Sequence, residues 1–136
     1  MDDLRAVLRF RVGQADAHYA GNLVAGGRIL EWFGDAATEL CALHDGDEGL
    51  FVAYDLVEFR APVYAGDFLE VRARLTRVGK TSRAMTFEAH KYIRSLAHEG
   101  GASAADTVDP PVLVARASGT CVVPAHLQRR RNQDLG

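Results

Sequence analysis

A chain of 136 residues, 48% hydrophobic and 25% charged, has the make-up of one ordinary globular domain over residues 1–136. Its net charge of −2 gives no general attraction to nucleic acid or to an anionic membrane, and no apolar run is long enough to span a bilayer. The start, Met1-Asp2-Asp3-Leu4, is no secretory signal, and Cys41 and Cys121 stand apart without disulfide or metal spacing, so a reduced, cytoplasmic protein with no metal is expected.

Leu4, Ala6, Leu8, Phe10 and Val12 alternate with Arg5, Arg9 and Arg11, which predicts a first strand over residues 4–12. Residues 14–21 read as a loop, and Asn22 as the N-cap of a helix over residues 23–44. Leu23, Leu30, Phe33, Ala37 and Leu40 fall on one face of that helix; Val24, Ile29, Trp32, Ala36 and Leu43 fall on another. A helix apolar over most of its circumference must be wrapped. Gly26, Gly27 and Gly34 each cost a helix about 1 kcal/mol relative to Ala, so close approach of a covering sheet is expected there. Asp45-Gly46-Asp47-Glu48-Gly49 ends the helix.

Strand patterns follow over residues 51–60, 68–78, 83–94 and 112–123, with Ala61-Pro62 and Gly66-Asp67 as breaks and Gly79-Lys80-Thr81-Ser82 as a hairpin. Residues 95–111 read as a flexible loop and 125–136 as a frayed polar tail. One helix among five strands predicts an α+β fold, a curved antiparallel sheet wrapped around one central helix. Its open edges predict at least a homodimer joined edge to edge, or a trimer of dimers.

Two carboxylates, Asp35 and Glu39, stand one turn apart on the apolar helix. Asp35 is the first candidate for a functional carboxylate, since a buried helix rarely keeps charges without a use; the other reading is a solvated stripe of Glu31, Asp35 and Glu39 with Arg28. His18 suits acid, base or donor chemistry near neutral pH, or it is a loop histidine packed on Tyr19. Asp16 either orients His18, binds a cationic group or makes a turn. The N–H groups of Gly21, Asn22 and Leu23, at the expected helix start, suit a polarised oxygen. Glu58 and Glu88 read as outward-facing strand residues. Arg77, Lys80, Ser82 and Arg83 cluster about one hairpin, a pattern for phosphate recognition or for a solvated turn.

Other motifs fail. A calcium loop opening at Asp45 would need Gly and Glu where Leu50 and Leu56 stand. The five histidines offer no zinc pair at helical spacing. Residues 21–27 fit neither a dinucleotide nor a P-loop pattern, and Arg129-Arg130-Arg131 is too short to argue for nucleic acid.

Gly21-Asn22-Leu23, Gly26-Gly27-Arg28-Ile29-Leu30-Glu31-Trp32 and Asp35-Ala36-Ala37 resemble the hotdog-fold acyl-CoA thioesterases. So do the run from Glu58 through Pro62-Val63 and Gly66-Asp67 to Glu70, and Arg77-Val78-Gly79-Lys80-Thr81-Ser82. Those enzymes commonly carry Asn where this chain has His18, and the interval to the helix carboxylate is longer here. Residues 16–24, 33–40, 45–51 and 117–124 are more similar to another hotdog branch, the 3-aminoacyl-CoA ammonia-lyases. That branch comprises the 3-aminobutyryl-CoA type of lysine fermentation and its β-alanyl-CoA relatives, and the resemblance extends over residues 5–124. It implies reversible elimination of ammonia from a short 3-aminoacyl-CoA to give an enoyl-CoA such as crotonyl-CoA. Asp35 is then the base, with His18 and Asp16 beside the departing amine. Gly21, Asn22 and Leu23 hold the thioester oxygen, and Arg77, Lys80, Ser82 and Arg83 meet the CoA phosphates. No cofactor is implied beyond the CoA of the substrate. An acyl-CoA thioesterase and a non-catalytic acyl-CoA-binding protein are the alternatives.

Overall fold

Alternation on the strands and an apolar helix face produce the same core from two sides. The computed structural model describes residues 4–97 and 99–130. In chain order these form β1 (Arg5–Arg11), β2 (Ala17–Tyr19), β3 (Leu23–Val24), α1 (Gly26–Asp45), β4 (Leu50–Phe59), β5 (Phe68–Val78), β6 (Ser82–Ser95) and β7 (Ala105–Val122). A five-stranded sheet runs in the order β1-β5-β6-β7-β4, antiparallel throughout, and β2 and β3 form a small separate ribbon. This is the hotdog arrangement, one long helix held by a curved sheet.

Leu69, Val71 and Ala73 of β5, Met85, Phe87 and Ala89 of β6, and Val114, Ala115 and Ala117 of β7 point inward against α1. The helix answers with Ile29, Trp32, Phe33, Ala36, Ala37, Leu40 and Cys41, and Phe33 stacks on Phe87 at 5.3 Å between centroids. Each large apolar side chain so buried stabilises the fold by about 1.5–3 kcal/mol. Tyr54 ties β4 to the helix by donating its hydroxyl to the Leu30 carbonyl at 2.8 Å.

Four expectations are corrected. The helix begins at Gly26 behind Ala25, not at Leu23 behind Asn22. Gly21 and Asn22 both take left-handed backbone, and Leu23–Val24 is strand. The reason is long-range pairing: Val24 N–H donates to the Val63 carbonyl at 2.9 Å, and Ala65 N–H donates to the Asn22 carbonyl at 3.0 Å.

Of the three helix glycines only Gly26 is closely approached: a Cβ there would lie 2.5 Å from the Phe59 ring, whereas Gly27 and Gly34 face open space. The sheet therefore wraps one side of the helix. Gly27, Glu31, Asp35, Thr38 and Ala42 form an exposed stripe on the other, and Leu43 is exposed too.

Residues 95–111 are not one loop. Strand β6 runs to Ser95, β7 starts at Ala105, and Ser95 pairs with Ala105. Between the Lys91–Val112 and Ile93–Thr107 pairs, residues 108–111 bulge out opposite Tyr92, because Pro110 and Pro111 have no N–H to give a ladder.

The tail is docked as far as it is described. Arg129 and Arg130 donate backbone N–H to the Asp45 carbonyl, and the Gln128 amide donates to the Lys80 and Val123 carbonyls. The rest of the expected frayed tail, residues 131–136, lies outside the described residues.

The sheet has two edges, β1 and β4. Strand β4 is apolar yet open, with Leu50, Val52, Leu56, Val57 and Phe59 all exposed. Cys41 and Cys121 are buried free thiols. No helix among the described residues is long and apolar enough to cross a membrane.

Candidate functional site

A cleft of about 990 Å³ opens at the end of the sheet, between residues 11–14 and 20–23, the turn 62–67 and the end of β6. Gly21, Asn22 and Leu23 line it, so these residues bound a cavity even though they are not the helix N-terminus.

A buried charge pair makes its floor. Asp67 and Lys91 are 1% and 9% exposed, and their Oδ2 and Nζ atoms lie 2.9 Å apart. Asp67 also accepts Tyr64 N–H on Oδ2 at 2.7 Å and Ser95 N–H on Oδ1 at 2.9 Å. Lys91 donates to the Pro62 carbonyl at 2.8 Å and lies 5.7 Å from the Tyr64 ring centroid. A buried carboxylate is tolerated when its lone pairs are filled in this way. The pair stitches the turn to the sheet and gives the cleft a fixed wall. In the sequence alone Asp67 reads only as part of the break after β4, and Lys91 as one more residue of a strand. The available signal was phase: Lys91 continues the inward series Met85, Phe87, Ala89.

His18 and Asp35 lie outside this cleft. His18 is exposed on β2 with its ring edge-on to Tyr19, centroids 4.7 Å apart. Asp35 is exposed on the open stripe of α1. Asp16 does not hold His18. Its Oδ2 accepts Gly13 N–H at 3.0 Å, and its Oδ1 accepts Arg28 Nε at 2.7 Å. Burial pushes the Asp16 carboxyl up, but the hydrogen bonds from Arg28 and Gly13 outweigh it and hold the group below its ordinary value. Asp16 thus clamps the loop that carries His18 onto the first turn of the helix. Arg28 in turn reaches Glu31 at 2.6 Å and lies over Trp32.

At the hairpin, Arg77 and Lys80 are exposed and Ser82 is half-buried. Arg83 corrects the expected phosphate cluster: it is 2% exposed and paired with Asp45 inside the protein. The inward phase of β6 explains this, since Arg83, Met85 and Phe87 share one face. Glu58 points outward to Arg116 and Arg60, both at 2.8 Å, and Glu88 is exposed.

Comparison with known proteins agrees with this architecture. Residues 21–98 match the thioesterase superfamily. Across 127 residues the chain is 54% identical to a 3-aminobutyryl-CoA ammonia lyase of Acetoanaerobium sticklandii, covering 93% of this chain and 100% of that protein. A β-alanyl-CoA:ammonia lyase from Clostridium propionicum superposes with a TM-score of 0.90 at 38% identity, covering 95% of this chain and 91% of the other. An acyl-CoA hydrolase from Staphylococcus aureus, solved with butyryl-CoA, superposes at 0.68 with 17% identity over 92% of this chain and 66% of that one, a likeness of fold alone. The chain belongs to the thioesterase superfamily and, within it, to the 3-aminobutyryl-CoA ammonia-lyase family of carbon–nitrogen lyases.

Proposed function

We propose that this chain eliminates ammonia from a short 3-aminoacyl-CoA such as 3-aminobutyryl-CoA, giving an enoyl-CoA such as crotonyl-CoA, and catalyses the reverse addition, as a step of amino-acid (lysine) fermentation. The observation that carries the reading is 54% identity over the full length of a 3-aminobutyryl-CoA ammonia lyase. A general acyl-CoA thioesterase is the weaker reading, because the hydrolase likeness stops at the fold.

Elimination needs three things: a base for the proton α to the thioester, donors for the oxygen that gains charge, and a group that gives or holds a proton on the departing amine. Asp35 is the proposed base. Its carboxylate lies on an open stripe where Gly27 and Gly34 leave room beside it. The first turn of α1 begins about 14 Å away in the same chain, at about 1.5 Å per residue, too far to share one thioester with Asp35, so the turn that works with Asp35 is the one in a second copy. Its N–H groups at Gly26 and Gly27 are the proposed donors to the thioester oxygen, taking over the role expected of Gly21, Asn22 and Leu23. His18, held near the helix by the Asp16–Arg28 clamp, is proposed to serve the amine.

Within one chain Asp35 and His18 are both open to solvent. The reading therefore includes a second copy joined along β4, whose exposed Leu50, Val52 and Phe59 support an edge-to-edge pair. Assembly beyond the dimer, up to a trimer of dimers, belongs to the same proposal. The chemistry proposed is acid–base β-elimination, in which the Cα–H and Cβ–N bonds break, the Cα=Cβ bond forms and the nitrogen leaves with its bonding pair, so it calls on no cofactor beyond the CoA of the substrate. The buried free thiols of Cys41 and Cys121 support a reducing, cytoplasmic setting.

Purified protein mixed with crotonyl-CoA and ammonium tests the reading. Loss of the enoyl absorbance without release of free thiol is expected; release of free thiol selects the thioesterase instead.

A further inference from the structure

The outer face of the sheet, away from the helix, carries a second depression of about 370 Å³, lined by Arg9, Glu70, Arg72, His90, Tyr92 and Pro111. None of these side chains is used in the reading above. Strand register brings them together: Arg9 lies opposite Glu70, and Glu70 opposite His90. Glu70 takes the Arg9 Nε on Oε1 at 2.9 Å and the Arg72 Nε on Oε2 at 2.5 Å. The carboxylate is only 16% exposed, whereas the two arginine side chains are 58% and 56% exposed. Arg9 is also braced on Tyr92, 4.2 Å from the ring centroid. One acid thus holds two guanidiniums side by side, neutralises one of their charges and leaves them open to solvent. Two oriented guanidiniums beside an imidazole match the oxygens of a phosphate.

The depression adjoins the cleft. Arg9 and Arg11 share one face of β1, about 7 Å apart by strand geometry, and Arg11 lines the cleft. On β6, Tyr92 and Arg94 stand in the same relation, and Arg94 also lines the cleft. Arg11 and Arg9 on β1 therefore lead from a cleft with a mixed apolar and polar lining to the guanidinium pair, while Arg94 at the cleft is paired with Glu99 at 3.0 Å. That layout suits a long ligand with a slender amide body and a phosphate-rich end.

We propose that Arg9 and Arg72, held by Glu70 and flanked by His90, bind the phosphates at the nucleotide end of a CoA thioester. The inference rests on the acyl-CoA reading above. It competes with the hairpin cations Arg77 and Lys80, because Glu70 and Arg77 lie about 23 Å apart along β5 at about 3.3 Å per residue.

Titration of the full chain with adenosine 3′,5′-bisphosphate by isothermal calorimetry tests the site without any catalytic step, so a failed lyase assay leaves the result readable. Arg72→Gln and Arg9→Gln are each expected to weaken binding about tenfold. Arg60→Gln removes the same charge elsewhere on the surface and is expected to leave the affinity as it was. Circular dichroism of the three variants should overlay that of the wild type, since all three side chains are more than half exposed. Three outcomes overturn the proposal: wild-type affinity in both Arg9→Gln and Arg72→Gln, equal weakening in Arg60→Gln, or a loss confined to Lys80→Glu. Inorganic phosphate binding as tightly as the bisphosphate also overturns it, in favour of a site for the free ion.

Discussion

Arg83 meets Asp45 inside the protein with both carboxylate oxygens engaged: Nε donates to Oδ2 at 2.8 Å and Nη2 to Oδ1 at 2.9 Å. The Arg83 Nη1 donates to the carbonyls of Gly79 and Ser82, both at 2.9 Å. Asp45 is the last residue of α1, and its carbonyl accepts the N–H groups of Arg129 and Arg130. The ion pair therefore joins the helix C-terminus to the β5–β6 hairpin, and the Asp45 main chain holds the chain after β7. Removing one partner strands a buried charge, which costs far more than the pair's net worth.

Arg83→Met is accordingly expected to lower unfolding stability by about 3–5 kcal/mol in a urea titration. The double variant Arg83→Met, Asp45→Leu should recover much of that loss, because no charge is then left buried. Burial pushes the Asp45 carboxyl up, but the Arg83 hydrogen bonds, helped by His44, outweigh it, so the folded group titrates below its ordinary value of 3.8. Its contribution is therefore complete above about pH 3.8 and is lost as the pH falls through the lowered folded value. Deleting the Asp45 carboxyl in the double variant should flatten stability across that acid window.

Two glycines give opposite expectations. A Cβ on Gly119 would lie 2.7 Å from the Ala53 carbonyl oxygen and 2.7 Å from the Phe51 ring, in the middle of the β4–β7 ladder. Gly119→Ala should destabilise by about 1–3 kcal/mol, the usual range for overpacking. A Cβ on Gly34 meets nothing within 4 Å. Gly34→Ala should stabilise the helix by up to about 1 kcal/mol in thermal unfolding. If a second copy or the substrate sits against this stripe, the same variant should lose activity while gaining stability.

Legibility from sequence followed the range of the interactions. The alternation of Leu69, Val71, Ala73 and Leu75 fixes both the strand and its inward face within a few residues, and β5 runs over the expected span. The apolar helix positions are equally local, but the two faces read from the sequence, one with Phe33 and Leu40 and the other with Ile29 and Ala36, are a single buried side. The helix start is not local, because Asn22 carries a capping side chain but its backbone is committed to Ala65, forty-three residues later. The proline pair at 110–111 hid a strand that continues around a bulge. At the site, Arg83 reads as one of the hairpin cations because its partner Asp45 lies 38 residues away, in the segment that ends the helix. Asp67 and Lys91, 24 residues apart, do not read as a pair for the same reason.

Self-association is the third expectation. Strand β4 leaves Val52 53% exposed on an unpaired edge. The protein should sediment as at least a dimer at micromolar concentration. Val52→Lys sets two ammonium groups near one another in an edge-to-edge pair and should shift the population toward monomer, more so at low salt. A wild-type monomer at that concentration refutes the paired arrangement.

The last expectation concerns Asp35 and separates the two halves of the elimination. Asp35 stands on the open helix stripe beside Gly34, whereas Asp16 is already engaged by Arg28 and Gly13. Asp35→Asn preserves size and most hydrogen bonding but removes the base. As an exposed residue it contributes little to the core, so stability should change by less than about 0.5 kcal/mol. The kcat for ammonia elimination should fall by about two orders of magnitude or more. Exchange of the substrate α-proton with deuterated solvent, followed by NMR, should fall in parallel, because it reports the same proton transfer. His18→Gln should slow elimination while retaining more of the exchange, since the α-proton can still leave when the amine cannot. Near-normal exchange in a folded Asp35→Asn variant removes Asp35 as the base and moves the search to Glu39, the next carboxylate on the helix.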